Sequence, residues 1–588
     1  MPPDARGVAD AHPRVLLAAA SLAVLLAAAD TYVVVLALPD MMAGVGLGID
    51  AMQRATPIIS GFLLGYVVVL PLVGRLADLV DRPRVLRALL VVFLVGSVVT
   101  ALATELPVLV GGRVLQGLGG GGLVPATLAL VADGWPPARR GVPLGVVGAV
   151  QELGSVVGPL LGAAVLAAGT WRDVFWLNAA LAAVLWCAVA ALTRRGGAAR
   201  STAPDVVVPA RPAPGASSRT RPARGSSFPH RGGRALSAGI RHLLPGLALA
   251  ALVLALWAPE ALVTHLTWGW GYLPLGSRAR LATPLGAGAA VLVLAWLGLS
   301  WRGWTPVLRQ VDVVATLLVA GALGCLVLTF ATADPAVQVV GPQGPWLLPL
   351  GALCTAGWVV RHRTAAVPLV PRGLLRRVGA TALVLSLLVG AALAAVVVDV
   401  PVLARLTVAG TQAAAAMVLL RFLVALPVGA LLGGLLLRRV GPSWVSAAGL
   451  ALAALGLAEM ARWTTGSLTS GSATPTLALV GLGLGLALAP VNAAALAEVA
   501  PESHGSMSAL VVLARMVGMI VGLALLTAIG LRRFYAATTH LPDPGDPAVL
   551  LTAALVQVQT VFWGAAGCAA LAAVLSLTLR GRSVPDRS

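Results

Sequence analysis

Apolar stretches of about 20 residues, separated by short segments that carry arginine, follow one another along nearly the whole chain. Of the 588 residues, 59% are hydrophobic and only 11% are charged, whereas a soluble domain has about a quarter charged residues. A helix of about 20 residues crosses the ~30 Å hydrocarbon core and satisfies its own backbone hydrogen bonds there. The pattern therefore predicts an all-α polytopic membrane protein and argues against a soluble enzyme.

Sixteen segments qualify as membrane spans, in groups of six, four and six. They begin near Val15, Thr56, Val85, Pro107, Gly141, Asp173, His242, Thr283, Val311, Pro345, Ala380, Gln412, Val445, Pro475, Met507 and Leu550. This grouping predicts a six-helix bundle over 1–194, a linker over 195–241, four inserted helices over 242–374, a second six-helix bundle over 375–580 and a tail over 581–588. The alternative is fourteen spans, with the tryptophan-flanked pair at about 242–300 lying partly in the membrane interface.

The distribution of arginine predicts the topology. If the N-terminus is cytoplasmic, the even-numbered spans end inside, and their loops contain Arg82, Arg84, Arg87, Arg139, Arg140, Arg372, Arg376, Arg377, Arg438 and Arg439. The segment Arg194–Arg241 has ten arginines and one acidic residue, Asp205, among many Pro, Gly and Ser residues. We therefore expect a plasma-membrane protein with both termini cytoplasmic and a basic, disordered cytoplasmic linker, either a tether or a contact for anionic headgroups.

Four short motifs stand in order on the N-terminal spans. The first span contains Asp30-Thr31, and the fourth places Arg113 in the membrane within Arg113-Val-Leu-Gln116-Gly117. After the second span comes the loop motif, whose key residues are Gly74, Asp78, Arg82 and Arg84. The fifth span holds a glycine-proline ladder formed by Gly154, Gly158, Pro159 and Gly162.

Together these motifs resemble the major facilitator superfamily, in its drug:proton antiporter branch with additional central helices. The resemblance implies two pseudo-symmetric six-helix bundles around a central cavity, with two additional central helices. The span count adds another pair, so we expect a four-helix central insertion. It also implies a monomer that works by alternating access without a cofactor or a metal. The loop motif departs from the family pattern, because Leu79 and Asp81 stand where Arg and Gly are usual, so its charge relay is expected to be altered.

The C-terminal half narrows the resemblance. Its segments around Arg421, Asn492 and Arg515, with Glu152 in the fifth span, resemble the actinobacterial subgroup of lipoprotein-associated triacylglyceride exporters and multidrug efflux proteins. That resemblance implies export of a lipid or a drug, and a periplasmic lipoprotein as a possible partner. Fourteen spans would be expected there, so the pair at 242–300 is surplus.

Five charged residues lie inside predicted spans. Placing each charge in the membrane costs at least ~2.5 kcal/mol, so each is expected to have a structural or functional role. They are Asp30, Arg113, Glu152, Arg421 and Arg515. We expect Asp30 and Glu152 to bind and release protons, whereas Arg113 and Arg515 have structural alternatives. Glu152 lies roughly 16 Å from the inner start of its span and Arg421 about 14 Å from the outer start of its own. Equal depth predicts that these two form a latch, paired across the bundles in one conformation and separated in the other.

The function expected from these residues is proton-driven export of an apolar or amphiphilic compound. The first rival is a polytopic enzyme acting on lipid, which would need a polar catalytic cluster that the sequence does not display. The second is a non-transporting sensor, against which the retained intramembrane charges argue. ATP-driven export is disfavoured because the chain has no lysine for a phosphate-binding loop.

Overall fold

The computed structural model describes residues 4–47, 52–201, 231–264, 269–273, 275, 281–331, 340–375, 377–408, 412–538 and 547–579. Its helices are α1 (Asp4–Gly44), α2 (Met52–Leu79), α3 (Arg82–Leu102), α4 (Leu106–Gly134), α5 (Gly141–Ala168), α6 (Trp171–Ser201), α7 (Arg231–Trp257), α8 (Glu260–Val263), α9 (Pro284–Gln310), α10 (Val313–Ala331), α11 (Gly344–Thr364), α12 (Arg377–Thr407), α13 (Gln412–Val440), α14 (Pro442–Met460), α15 (Ala473–Ala497), α16 (His504–Thr538) and α17 (Pro547–Ser576).

Both helices that flank the predicted linker extend into it. Helix α6 ends at Ser201 and α7 begins at Arg231, because the alanines and arginines of these stretches favour helix. The rest of the linker, 202–230, lies outside the described residues, as do Trp268, Arg376 and the tail 581–588.

Fourteen helices within the described residues are long and apolar enough to cross a membrane. They include all twelve predicted bundle spans, together with Pro284–Trp301 and Val313–Phe330. The apolar part of α7, Leu243–Trp257, is shorter, and α11 is not among the fourteen. The last turn of α11 carries Arg361, His362 and Arg363, which lower its mean hydropathy. The number of these helices matches the fourteen-span alternative. The predicted spans that do not qualify are α7 and α11, however, and not the pair at 242–300.

The same packing pattern occurs twice along the chain. In the first set of six helices, α1 packs on α5, while α2 and α3 pack on α4. In the second set, α12 packs on α16, while α13 and α14 pack on α15. This repetition confirms the two pseudo-symmetric six-helix bundles.

Two helix pairs make the most extensive contacts between the bundles. Helix α5 packs against α13, and α2 packs against α16. At Gly434 an added Cβ would lie 2.5 Å from the carbonyl oxygen of Gly141, and at Gly505 it would lie 2.6 Å from that of Gly74. These glycines allow backbone-to-backbone approach, as in other closely packed membrane helices. Both crossings lie at the end of the bundles that carries the α2–α3 and α4–α5 loops, called the loop end below.

Helices α10 and α11 form a hairpin between the two bundles in the sequence. Asp312 caps α10 by accepting a hydrogen bond from the N–H of Ala315 (3.1 Å), and it also accepts one from Nε of Arg361 (2.9 Å). Helix α10 packs against α2 and α16, while Leu317 and Trp346 are exposed. Exposed apolar side chains of this kind suit contact with lipid tails.

Residues Ala190–Pro306 form a second compact unit. It contains α7, α8, a short 3₁₀ turn at Gly269–Tyr272 and most of α9. The turn before α9 is closed by a hydrogen bond from the N–H of Leu275 to the carbonyl oxygen of Ala282 (2.6 Å). Many apolar side chains of α9 are exposed, among them Val291 and Leu294, as expected for a helix that faces lipid.

Candidate functional site

Asp30 is fully buried at the centre of a polar network in the N-terminal bundle. Nη1 of Arg113 lies 2.6 Å from its Oδ2, and Nδ2 of Asn178 donates to its Oδ1 at 2.6 Å. The exposed fractions of the Asp30 and Arg113 side chains are 0% and 1%. Since α1, α4 and α6 each supply one of these residues, the network ties three helices of one bundle together.

Gln116 extends this network from one turn further along α4. Its Oε1 accepts from Nη1 of Arg113 (2.8 Å), and its Nε2 donates to Oγ of Ser97 (2.9 Å) on α3. The guanidinium of Arg113 also lies over the ring of Phe62, 4.5 Å from its centroid. An ionised carboxylate can therefore be held at Asp30, because a cation and neutral donors surround it.

Glu152 on α5 forms the buried ion pair that joins the bundles. Its Oε1 lies 3.0 Å from Nη1 of Arg515 on α16, and each side chain is 9% exposed. Among the described residues, this is the ion pair between the two bundles in which both side chains are buried. Breaking it in the membrane would leave two unpaired charges, so it stabilises the arrangement in which α5 and α16 are close.

The glycine-proline ladder lies where α5 packs on α1. An added Cβ would lie 2.5 Å from the carbonyl oxygen of Ala29 at Gly158, and 3.4 Å from Cγ1 of Val33 at Gly162. Gly154 meets the backbone of Ala28 and Ala29 in the same way. The ladder thus allows close packing beside Asp30 and connects the helix of the first network to the helix of Glu152. Pro159 lies within α5 and lacks an N–H to donate to the preceding turn.

Asp78 closes the loop end by capping a helix of the other bundle. Its carboxylate accepts hydrogen bonds from the N–H of Gly505 (2.7 Å) and of Ser506 (3.0 Å), and from Oγ of Ser506. These groups lie in the first turn of α16, where the helix dipole favours a negative charge. Gly74 from the same motif packs against Ala509 and Gly505.

Arg82 forms ion pairs around this motif, in which Leu79 and Asp81 depart from the family pattern. Nη2 of Arg82 lies 4.0 Å from Oδ1 of Asp78, and its Nε lies 3.1 Å from Oδ2 of Asp133 at the end of α4. Nδ1 of His504 lies 3.2 Å from the other oxygen of Asp133, so the relay reaches the second bundle. Arg82 begins α3 four residues after Asp78 at the end of α2, and from there its guanidinium reaches both carboxylates. Arg84 pairs with Asp81, and both are exposed.

Arg140 fastens the α4–α5 loop beside this relay. Its Nε donates to the carbonyl oxygen of Trp135 (2.9 Å) and its Nη2 to that of Ala132 (2.5 Å). Burial lowers the pKa of this guanidinium from its ordinary value, and the nearby Asp133 carboxylate opposes that effect. Carbonyl groups at the end of α4 are satisfied in this way.

The expected pairing of Glu152 with Arg421 is not formed, because Glu152 pairs with Arg515. Helix α5 packs on α13, but Ala430 and Gly434 face α5 there, against Gly145 and Gly141. The side chain of Arg421 is exposed. Nine residues separate Arg421 from Ala430, which at 3.6 residues per turn places them on roughly opposite faces of α13.

Sequence reasoning missed several residues of these networks. Asn178, Asp133 and His504 are polar groups near helix ends or one turn into a span, where they look solvated. Asp399 on α12 is also buried. The sequence does indicate this residue, because it is the only acidic residue of that helix.

A small cavity of about 30 Å³ lies beside the ion pair. Polar residues Gln151, Ser386, Asn492 and Arg515 line it together with apolar ones. This volume has room for water molecules but not for a lipid. Within the described residues no group of three or more His, Cys, Asp or Glu side chains could hold a metal.

Comparisons with known proteins agree with this architecture. The family model of the Major Facilitator Superfamily matches residues 20–360. The triacylglyceride transporter of Mycolicibacterium hassiacum is 35% identical over 97% of this chain and 92% of that protein. The triacylglyceride transporter of Mycolicibacterium smegmatis is 33% identical over 97% of this chain and 88% of that protein.

A solved structure shows the same fold at low identity. The human organic anion transporter MFSD10 is 14% identical, with a TM-score of 0.52, and the match covers 98% of this chain and 100% of that one. These relatives are transporters, which fits a chain that is not an enzyme. Because the family model covers more than half of the sequence and both curated relatives exceed 30% identity over nearly all of it, this chain belongs to the major facilitator superfamily.

Proposed function

We propose that the chain is a proton-coupled secondary transporter of the plasma membrane that exports apolar or amphiphilic lipid, such as triacylglyceride, by alternating access. Its loop end and both termini would be cytoplasmic, as the arginine distribution predicts. The names of the curated relatives support a lipid substrate, and apolar drugs are the rival cargo.

The observation that carries this proposal is the Glu152–Arg515 ion pair between the bundles. Rocking of the bundles around a midplane site requires helices of opposite bundles to separate at their contacts. Separation would expose each partner as an uncompensated charge unless one is neutralised first. A proton on Glu152 removes its charge, weakens the pair and so favours the separated state.

The Asp30 network supplies the second proton-linked group. Asp30 lies on α1, which packs on α5 through the glycine-proline ladder. A proton on Asp30 would abolish its attraction to Arg113 and loosen the contact among α1, α4 and α6. Movement of α1 would then reach Glu152 through the packed ladder.

The loop end would act as the cytoplasmic gate. Asp78 holds the start of α16, and Arg82, Asp133 and His504 surround this contact. The same helix α16 carries Arg515, so the gate and the central ion pair must open together if α16 moves as a rigid body. Such joint opening is what alternating access requires.

Reconstitution into proteoliposomes tests the proposal. With labelled triacylglyceride in the membrane and an imposed proton gradient, we expect substrate movement and proton flux to depend on each other. Glu152→Gln should abolish the coupling, while Glu498→Gln, which alters an exposed carboxylate, should leave it intact. Substrate movement that ignores the gradient in the wild-type protein would contradict proton coupling. Transport of drugs but not of triacylglyceride would instead show that the cargo is an apolar drug and not a lipid.

A further inference from the structure

A further buried carboxyl group, Asp399, lies in the C-terminal bundle outside the networks described above. It is on α12, nearer the end at Thr407 than the start at Arg377, and is only 4% exposed. Its neighbour Val400 and the following residues Leu403 and Ala404 are also buried. An ionisable side chain at this depth is functional more often than it is structural.

Asp399 lacks the partners that a buried carboxylate needs. Its Oδ2 is buried and accepts no hydrogen bond. No charged residue occurs on α15 or α17, two of the helices packed against α12. The charged and titratable groups on α12 itself and on the other packed helices, α13 and α16, are Arg377, Arg405, Arg421, Arg438, Arg439, His504, Arg515, Arg532, Arg533 and Tyr535, with Cys568 on α17. None of them forms an ion pair or a hydrogen bond with Asp399 in the described residues.

The residues packed beside Asp399 agree with the absence of a positive charge that would balance its carboxylate. Ala391 on α12 meets Gly522 on α16, and eight residues further on both helices reach Asp399 and Gly530. Gly530 in turn contacts Gln557 on α17. At this position α16 presents no side chain, because Gly530 has none, and the α17 residue packed on Gly530 carries a neutral amide, which cannot balance a negative charge.

Asp30 provides the comparison within the same protein. It is equally buried but has a guanidinium and two amides around its carboxylate. Asp399 has none of these, and an isolated carboxylate in an apolar interior is far more costly than the neutral acid. The two carboxyl groups should therefore hold different numbers of protons in the same conformation.

We propose that Asp399 is a further proton-binding site, in addition to Glu152 and Asp30, which holds its proton in the conformation closed at the loop end and releases it when the bundle opens. On release the O–H bond of the carboxyl group breaks, the proton passes to a water molecule, and the electron pair stays on the carboxylate. This requires water to reach the contact of α12 with α16 and α17. The proposal rests on the proposed transport function, to which it adds a proton-linked group in the second bundle.

Chemical labelling of the purified full-length protein tests it. Dicyclohexylcarbodiimide, an apolar reagent, reacts with protonated carboxyl groups in apolar surroundings, and peptide mass spectrometry locates the adduct. Because Asp30 and Glu152 are paired with arginines, we expect at least about tenfold more label on Asp399 than on either of them. Equal or lower labelling of Asp399 overturns the proposal.

Infrared spectroscopy gives an independent reading. The carbonyl stretch of a protonated carboxyl group should be present in the wild type and reduced in Asp399→Asn, which should fold because it replaces one neutral polar group by another. Asp399→Glu should restore the band at a shifted frequency. A spectrum in which Asp399→Asn loses a carboxylate band instead shows an ionised Asp399 and overturns the proposal.

The two proposals fail in different ways. If substrate movement ignores the proton gradient while Asp399 is protonated, the transport mechanism is wrong and the proton site survives. If transport is coupled to protons while Asp399 is ionised, the site is wrong and the mechanism survives.

Discussion

At the scale of single residues, the protein keeps its buried charges in pairs that differ in what they connect. Arg113 and Asp30 join helices within one bundle, whereas Glu152 and Arg515 join the two bundles. Removing one member of a buried pair leaves the other uncompensated, at a cost of about 3–5 kcal/mol. The first pair should therefore matter for stability and the second for the balance between conformations.

Asp30→Asn should both stop proton coupling and destabilise the N-terminal bundle. The amide cannot balance the guanidinium of Arg113, so we expect the free energy of unfolding to fall by about 3–5 kcal/mol. Denaturant unfolding in detergent measures the stability, and substrate-driven proton flux in proteoliposomes measures the coupling.

Adding Arg113→Gln to Asp30→Asn provides the control for this prediction. The double variant has no unpaired charge, so it should recover part of the lost stability without recovering proton flux. A single variant as stable as the wild type would show that Gln116 and the ring of Phe62 suffice to hold Arg113.

The effects of Glu152→Gln and Arg515→Gln on transport rate or stability should not be additive. Either single change leaves a charge unpaired, so the double variant should be less damaged than the two single effects summed, with a coupling energy of about 0.5–3 kcal/mol. A double-mutant cycle on transport rate or stability measures this coupling.

Arg421→Gln is the matched control for this cycle. It removes an arginine whose side chain is exposed, so its effect should add to that of Glu152→Gln. If the effect of Glu152→Gln were instead non-additive with that of Arg421→Gln and additive with that of Arg515→Gln, the functional partner of Glu152 would be Arg421.

The sequence was sufficient to find Glu152 but not to choose its partner. Distance along a helix follows from counting residues at 1.5 Å each, which placed Glu152 and Arg421 at one depth. The direction of a side chain around the helix depends on which face packs against the neighbour. For α13 that face is defined by Ala430 and Gly434, and this packing cannot be read from depth.

At the scale of helices, the contacts between the bundles depend on glycine. On α13 and α5, Gly434 and Gly141 bring two backbones together at the loop end, and on α2 and α16 Gly74 and Gly505 do the same. The starts of the twelve bundle spans were predictable, because long apolar runs have few alternatives in a membrane. The interlocking glycines were not, since a helix rich in small residues shows several faces that could pack.

Gly434→Val should shift the protein away from the closed loop end. Its Cβ would overlap the carbonyl oxygen of Gly141, so α5 and α13 must move apart. We expect a longer distance between spin labels placed on the α4–α5 loop and at the end of α13, measured by pulsed electron paramagnetic resonance.

Gly567→Val is the matched control for this substitution. An added Cβ at Gly567 would meet no atom within 4 Å, so the labels should keep their wild-type separation. An unchanged distance in Gly434→Val would show that the crossing adapts without opening.

At the scale of the whole molecule, the number of crossings decides where each loop lies. The residues flanking the predicted linker are helical, and α9 is long enough to span, whereas the apolar part of α7 is short. The sequence could not settle this, because a short apolar helix with tryptophans suits a crossing as well as an interface.

Reporter fusions at Gly215 and Gly276 should report opposite sides of the membrane. Gly215 lies in the basic linker and is expected inside, while Gly276 follows α7 and is expected outside if both α7 and α9 cross. A phosphatase active only outside and a fluorescent protein active only inside provide the readouts. Gly276 found inside would support the fourteen-span alternative and leave both bundles unchanged.

The contact between Asp78 and the start of α16 has a consequence for how this family varies. Two of its three donors are peptide N–H groups, which every residue except proline supplies. Substitutions at Ser506 can therefore accumulate without removing these two hydrogen bonds, whereas position 78 has no such freedom. We therefore expect residue covariation between positions 78 and 506 to be weak, even though the two residues are in contact.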